Sequence, residues 1–189
     1  MSSDTDGSPA APGTTAPPPT LDDETVAFAG RVFQFARMGH AEELAELFGQ
    51  GLPANLRNDK GESLLMLATY NGQAETAKVI LDHGGDPELA NDRGQTPLAG
   101  AAFKGDVAMA RMLIARGAAI DGTGDGSRTA LMLAAMFDRT EIVDLLLAHG
   151  ADPGRRDAAG ATAADLARQM GATETPGQLA AAARTVSDV

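Results

Sequence analysis

One spacing dominates this chain. From about Asp22 onward, residue types recur every 33 positions. Gly51, Gly84, Gly117 and Gly150 form one row, and Gly39, Gly72 and Gly105 form a second. Gly61 and Gly94 form a third row, which reappears at Gly160. A hydroxyl row runs Ser63, Thr96, Thr129, Thr162. The apolar rows are Val32, Leu65, Leu98, Leu131 and Leu47, Ile80, Leu113, Leu146, with Phe48, Leu81, Ile114 and Leu147 beside the latter. Ala68, Ala101, Ala134 and Ala167 make a small-residue row. A fixed period of this length means one supersecondary unit, stacked on copies of itself because a single copy cannot bury its apolar face alone.

Residues 91–105, NDRGQTPLAGAAFKG, show what one unit must do. Gly94 supplies a positive φ for a tight turn. Thr96 is a good N-cap, its hydroxyl placed to accept from an exposed backbone N–H. Pro97 follows at the first helical position, where its missing N–H costs nothing. Leu98, Ala101 and Ala102 then form a short apolar face at helical spacing. Gly105 ends that helix, and Val107–Arg116 reads as a second one, with an apolar stripe of Met109, Met112, Leu113 and Ile114. Gly117 suits a left-handed cap at its end. The Ala row is smooth because the helix of the next unit packs directly on it.

These features resemble the ankyrin-repeat family, whose signature is G-x-T-P-L-H-x-A-A-x-x-G-H, a second helix and G-A-D. GQTPLAGAAFKG at 94–105 matches it best. GESLLMLATYNGQ at 61–73 and TALMLAA at 129–135 also match, as do HGGDP at 83–87 and HGADP at 149–153. The resemblance covers about residues 25–171. It implies an all-α repeat solenoid of stacked helix-turn-helix units with β-hairpin-like loops. Several positions depart from the signature. The helix-starting His is Met66, Ala99, Met132 and Asp165 here, so the hydrogen bonds it would make to neighbouring turns are absent and stacking is expected to rest more on packing. Ser127 stands in a turn-glycine position with Gly126 one residue early, and Asp138 stands where a glycine separates the two helices.

Five units are expected within 22–184: an N-terminal cap at 22–57, repeats at 58–90, 91–123 and 124–156, and a C-terminal cap at 157–184. The first unit lacks a hairpin signal and opens with a longer helix, DDETVAFAGRVFQFARMG, whose Asp22, Asp23 and Glu24 suit a helix N-terminus. The last ends in an Ala-rich helix, QLAAAAR, after Thr175-Pro176. Atypical end units are expected where one face meets water. Residues 1–21 are rich in Ser, Thr, Pro, Ala and Gly, a composition too poor in large apolar residues to offset the entropy of ordering. The expectation is a disordered tail, although the prolines at 17–19 could also dock an aromatic groove as a polyproline segment. Residues 185–189 form a short second tail.

Little chemistry is written into the sequence. With no Cys among 189 residues, disulfides, thiolate metal sites and cysteine nucleophiles are excluded together. His83 and His149 share one repeat row before a capping glycine, where a cation favours a helix C-terminus, and His40 follows Gly39 at the Gly-His position of the signature. None is paired at metal-ligand spacing. DGTGDG at 121–126 echoes a calcium loop, but Met132 stands where the bidentate carboxylate belongs, and the stretch falls at a hairpin tip. No metal, no cofactor and no enzymatic role is expected. The net charge of −11 repels phosphate backbones and anionic lipid heads and favours a basic partner, where it does more than confer solubility. Nucleic acid and membrane are therefore not expected partners. No apolar run reaches the length of a membrane span, and the N-terminus does not read as a secretory signal, so a cytoplasmic monomer is the default.

One surface stands out. In the family, residues after the small pair and at the hairpin tips point into a concave groove. The resemblance places Arg37-Met38, Tyr70-Asn71, Phe103-Lys104 and Met136-Phe137 there from the helices. From the hairpins it adds Asp59, Lys60 and Glu62, then Asp92, Arg93 and Gln95, then Asp125 and Arg128. Tyr70, Phe103 and Met136 are 33 apart, with Phe137 adjacent. Large apolar groups rimmed by charge make good anchors; the competing reading has them filling gaps between neighbouring helices. The expected function is a non-enzymatic adaptor or regulator presenting a preorganised groove to a protein partner. The alternative is a charge-held inhibitor or chaperone-like accessory of one enzyme, in line with small bacterial proteins of similar layout linked to oxidative-stress defence.

Overall fold

The structure, a computed structural model, describes residues 22–123 and 128–187. The expected N-terminal tail, the second half of the calcium-like loop and the turn positions Asp125, Gly126 and Ser127 lie outside the described residues. Ten α-helices are present among those described: α1 Asp23–Met38, α2 Ala41–Gly49, α3 Leu64–Tyr70, α4 Ala74–Asp82, α5 Pro97–Lys104, α6 Val107–Ala115, α7 Ala130–Met136, α8 Thr140–Ala148, α9 Ala163–Met170 and α10 Thr175–Ser187. Extended pairing is limited to two isolated bridges, Arg57 with Ser63 and Arg156 with Thr162, at the feet of hairpin-like loops.

The hydroxyl row starts the helices. Ser63, Thr96, Thr129 and Thr162 each accept from the backbone N–H three residues on, at 3.1 to 3.3 Å. Each relieves one of the orphan donors of a helix N-terminus. Gly105 ends α5 at φ 78, a left-handed geometry that glycine adopts without strain. At the corresponding place in the next unit Asp138 takes φ 55, the one non-glycine positive φ among the described residues.

The helices form two layers. In one, α1 packs on α3, α3 on α5, α5 on α7 and α7 on α9; in the other, α2 meets α4, and α6, α8 and α10 follow. The apolar rows are the seams. Leu65, Leu98 and Leu131 are buried, as are Ile80, Leu113 and Leu146. Burial of each such side chain contributes ~1.5–3 kcal/mol. Ala68, Ala101, Ala134 and Ala167 are all fully buried, so the layers close to backbone distance along one line.

Beside the packing expected from the missing His, polar contacts also join the units. Three polar side chains one period apart tie each unit to the next. Asn55 accepts from the Asp86 N–H at 2.8 Å and donates to the Gly84 carbonyl at 3.1 Å. Glu88 accepts from the Ala119 N–H at 2.9 Å, and Asp121 from the Asp152 N–H at 3.0 Å. Arg116 adds an ion pair to Asp82 at 2.7 Å. Each strut satisfies a loop N–H of the following unit. His83 and His149 close their own helices: each Nδ1 donates to the carbonyl four residues back, at 2.8 Å.

Candidate functional site

Three hairpin-like loops stand on one edge of the stack, and a second repeat row shapes them. The side-chain oxygen of Asn58 accepts from the N–H of Lys60 and of Glu62, both at 2.9 Å. Asn91 does the same for Arg93 and Gln95, and Asp157 for Ala159 and Ala161, all at 3.0 Å. Each loop is thus folded around one buried or half-buried acceptor, which fixes where its tip residues emerge. Two backbone hydrogen bonds hold the Asp157 carboxyl below the usual carboxylate range, with Arg128 assisting.

Tyr70 ends α3, Phe103 lies in the last turn of α5 and Phe137 caps α7. Tyr70 and Phe103 stack nearly parallel, with ring centroids 5.7 Å apart and planes 9° from parallel. Phe103 and Phe137 meet edge to face at 4.6 Å and 83°. The Lys104 ammonium lies 5.0 Å over the Tyr70 ring. These rings join three units in one ladder. Tyr70 is 44% exposed, and Phe103 and Phe137 are half-buried. In the third unit the ladder continues through Phe137, next to Met136, which packs partly buried against the core.

Between ladder and loops lies a cleft of about 190 Å³. Tyr70 and Phe103 form one side, Glu62, Arg93 and Gln95 the other, and Met66, Leu67, Ala99 and Gly100 the floor. A second, more open concavity shares Arg93 and Gln95 and continues to Arg128, Leu133 and Asp157. The structure thus gathers Tyr70, Phe103, Glu62, Arg93, Gln95 and Arg128 along one surface. Lys104 and Phe137 adjoin it through the ring contacts. Lys60 is exposed, and Asn71 spends its amide on the Leu67 carbonyl at 2.8 Å, capping its own helix. Glu62 accepts from the Asn58 amide at 2.8 Å, and Arg128 pairs with Asp157 at 3.5 Å. Among the described residues no group of His, Asp and Glu gathers in a way that could hold a metal ion, and no helix is long and apolar enough to cross a membrane.

A family model of ankyrin repeats in three copies matches residues 32–123, and one of ankyrin repeats in many copies matches residues 113–167. The chain belongs to the ankyrin-repeat family. An ankyrin repeat protein of Pseudomonas aeruginosa is 52% identical over 66 residues, which span 35% of this chain and 39% of that relative. Ankyrin repeats serve in general as protein–protein interaction modules.

Two features of this ankyrin surface escaped the sequence reading although both are periodic. The acceptor row Asn58, Asn91, Asp157 mixes amides with a carboxylate, so it looked like ordinary loop polarity. The floor row Leu67, Gly100, Leu133, Leu166 has a leucine at every place but one. Gly100 vanished into the small-residue run around it.

Proposed function

We propose that this ankyrin-repeat chain is a non-enzymatic interaction module, an adaptor or regulator whose preorganised groove receives a protein partner. The observation that carries the reading is the aromatic ladder: three rings from three repeats, braced on one another and each partly exposed. A surface whose side chains are already ordered loses little conformational entropy on binding. Large aromatics beside charged loops match the composition of interface hot spots. The acceptor row supports the same reading, because it fixes the backbone of the loops before any partner arrives. We place the working form as a monomer in the cytoplasm.

The partner's charge follows from the groove and not from the whole chain. The net charge of −11 pointed to a basic partner. At the cleft itself Arg93, with Lys104 beside it on the Tyr70 ring, stands against Glu62, which favours an acidic one.

Salt separates this reading from a charge-held inhibitor or accessory of one enzyme. The partner captured from source-cell lysate by the immobilised chain should stay bound in half-molar salt, where exposed charge pairs are screened but apolar anchors are not. Release of all bound protein at that salt would favour the charge-held alternative.

A further inference from the structure

Gly100 is a buried glycine inside α5, in a row otherwise made of buried leucines at 67, 133 and 166. Neither its backbone nor its packing demands glycine. Its φ is not in the left-handed region, and a Cβ built there would meet the Met66 sulfur at 3.5 Å, Thr69 Cγ2 at 3.9 Å and Tyr70 Cδ2 at 3.9 Å, all ordinary contacts. A glycine in a helix interior weakens the helix. What the missing side chain does leave is room: Gly100 lines the 190 Å³ cleft beside Met66 and Tyr70. In the neighbouring concavity the same row carries Leu133, 7% exposed.

The rim is polar and asymmetric. Arg93 lines the cleft, is exposed and has no ion pair among the described residues. The one carboxylate lining the cleft, Glu62, is engaged by Asn58. Lys104 adds a second cation beside Tyr70.

Building on the groove reading, we propose that the notch left by Gly100 receives one large apolar side chain from an acidic segment of a partner protein, with a carboxylate of that segment pairing with Arg93. Leu67, Met66 and the two rings enclose the apolar group, and the cations at the rim select the charge beside it. Glycine at position 100 opens the pocket at one repeat only, so the stack has a register: the partner's anchor enters between the second and third units, and its remaining residues run along the ladder toward Phe137.

The test is a random dodecapeptide library displayed on phage and selected on the full chain. Enriched peptides should share one large apolar residue flanked by Asp or Glu. They should bind at least about tenfold more weakly to Gly100→Leu, which fills the notch, and to Arg93→Glu. Gly100→Leu should keep wild-type circular dichroism and a denaturation midpoint no lower than wild type; if it does not, Gly100→Ala takes its place, with a smaller but measurable loss of binding. Peptides that bind Gly100→Leu and Gly100→Ala as well as wild type but fail on Tyr70→Ala/Phe103→Ala would leave the groove standing and overturn the notch. A basic consensus, or indifference to Arg93→Glu, would overturn the acidic partner. No enrichment, or enriched peptides indifferent to every variant, would overturn both notch and groove.

Discussion

Asp138 shows how one residue serves its own turn and a distant helix. It occupies a position where glycine would sit more easily, and holds φ 55. Its carboxylate then reaches the start of α10. One oxygen accepts from the Thr173 N–H at 3.0 Å and its hydroxyl at 2.9 Å, and the other from the N–H of Glu174 at 3.1 Å and Thr175 at 3.0 Å. The Thr175 hydroxyl donates to the Ala135 carbonyl at 2.9 Å, fastening the same turn to α7. The backbone donors of Thr175 and Thr173 hold the Asp138 carboxyl far below the usual carboxylate range. The folded state thus favours the ionised form, so this contribution is fully present above the unfolded value of about 4 and fades as pH falls below it toward the folded pKa. Amide exchange in α10 should therefore quicken below pH ~4 relative to α5, beyond the intrinsic trend. In Asp138→Asn, α10 should exchange several-fold faster already at neutral pH, and the extra acid dependence should vanish. Equal protection in both proteins across that range would mean that the carboxylate does not hold α10.

Within α5, two adjacent small residues should respond in opposite directions. Ala101 is fully buried on the seam between α3 and α7, so Ala101→Leu should overpack it and cost ~1–3 kcal/mol. Gly100 has room beside it, so Gly100→Ala should stabilise by ~0.5–1 kcal/mol. Urea midpoints of the two variants measure both; a shift of the same sign in each would mean that the seam and the cleft are not where the side chains put them. The seam was legible in the sequence because apolar rows and capping hydroxyls depend on local spacing alone. Thr96, Pro97 and Gly105 announced α5 at both ends, and the structure starts and stops it there. The hollow at Gly100 was less legible because it is the absence of a side chain, visible only against Leu67 and Leu133 in neighbouring units. The Asp138 bridge was illegible: it joins residues about 35 positions apart in a cap that departs from the repeat.

Across the whole molecule, stacking turns a row in the sequence into a column on a surface. That is why Tyr70 and Phe103, far apart along the chain, come within 5.7 Å, and why Phe137 of the next unit meets Phe103 at 4.6 Å. The sequence offered both Met136 and Phe137 for the third place; only the packing of α7 shows that Phe137 makes the ring contact. If the column is a binding surface, removing its rings should disturb the fold little. Two ring pairs are together worth ~1–3 kcal/mol beyond the area they bury, and with all three rings partly exposed each truncation should cost less than the ~3–5 kcal/mol of an aromatic in a true core. Tyr70→Ala/Phe103→Ala/Phe137→Ala should thus remain folded. The decisive measurement is a calorimetric titration of the salt-resistant partner into wild type and this triple variant. The groove account predicts a loss of affinity of about a hundredfold or more in the folded variant; an unchanged dissociation constant would contradict it.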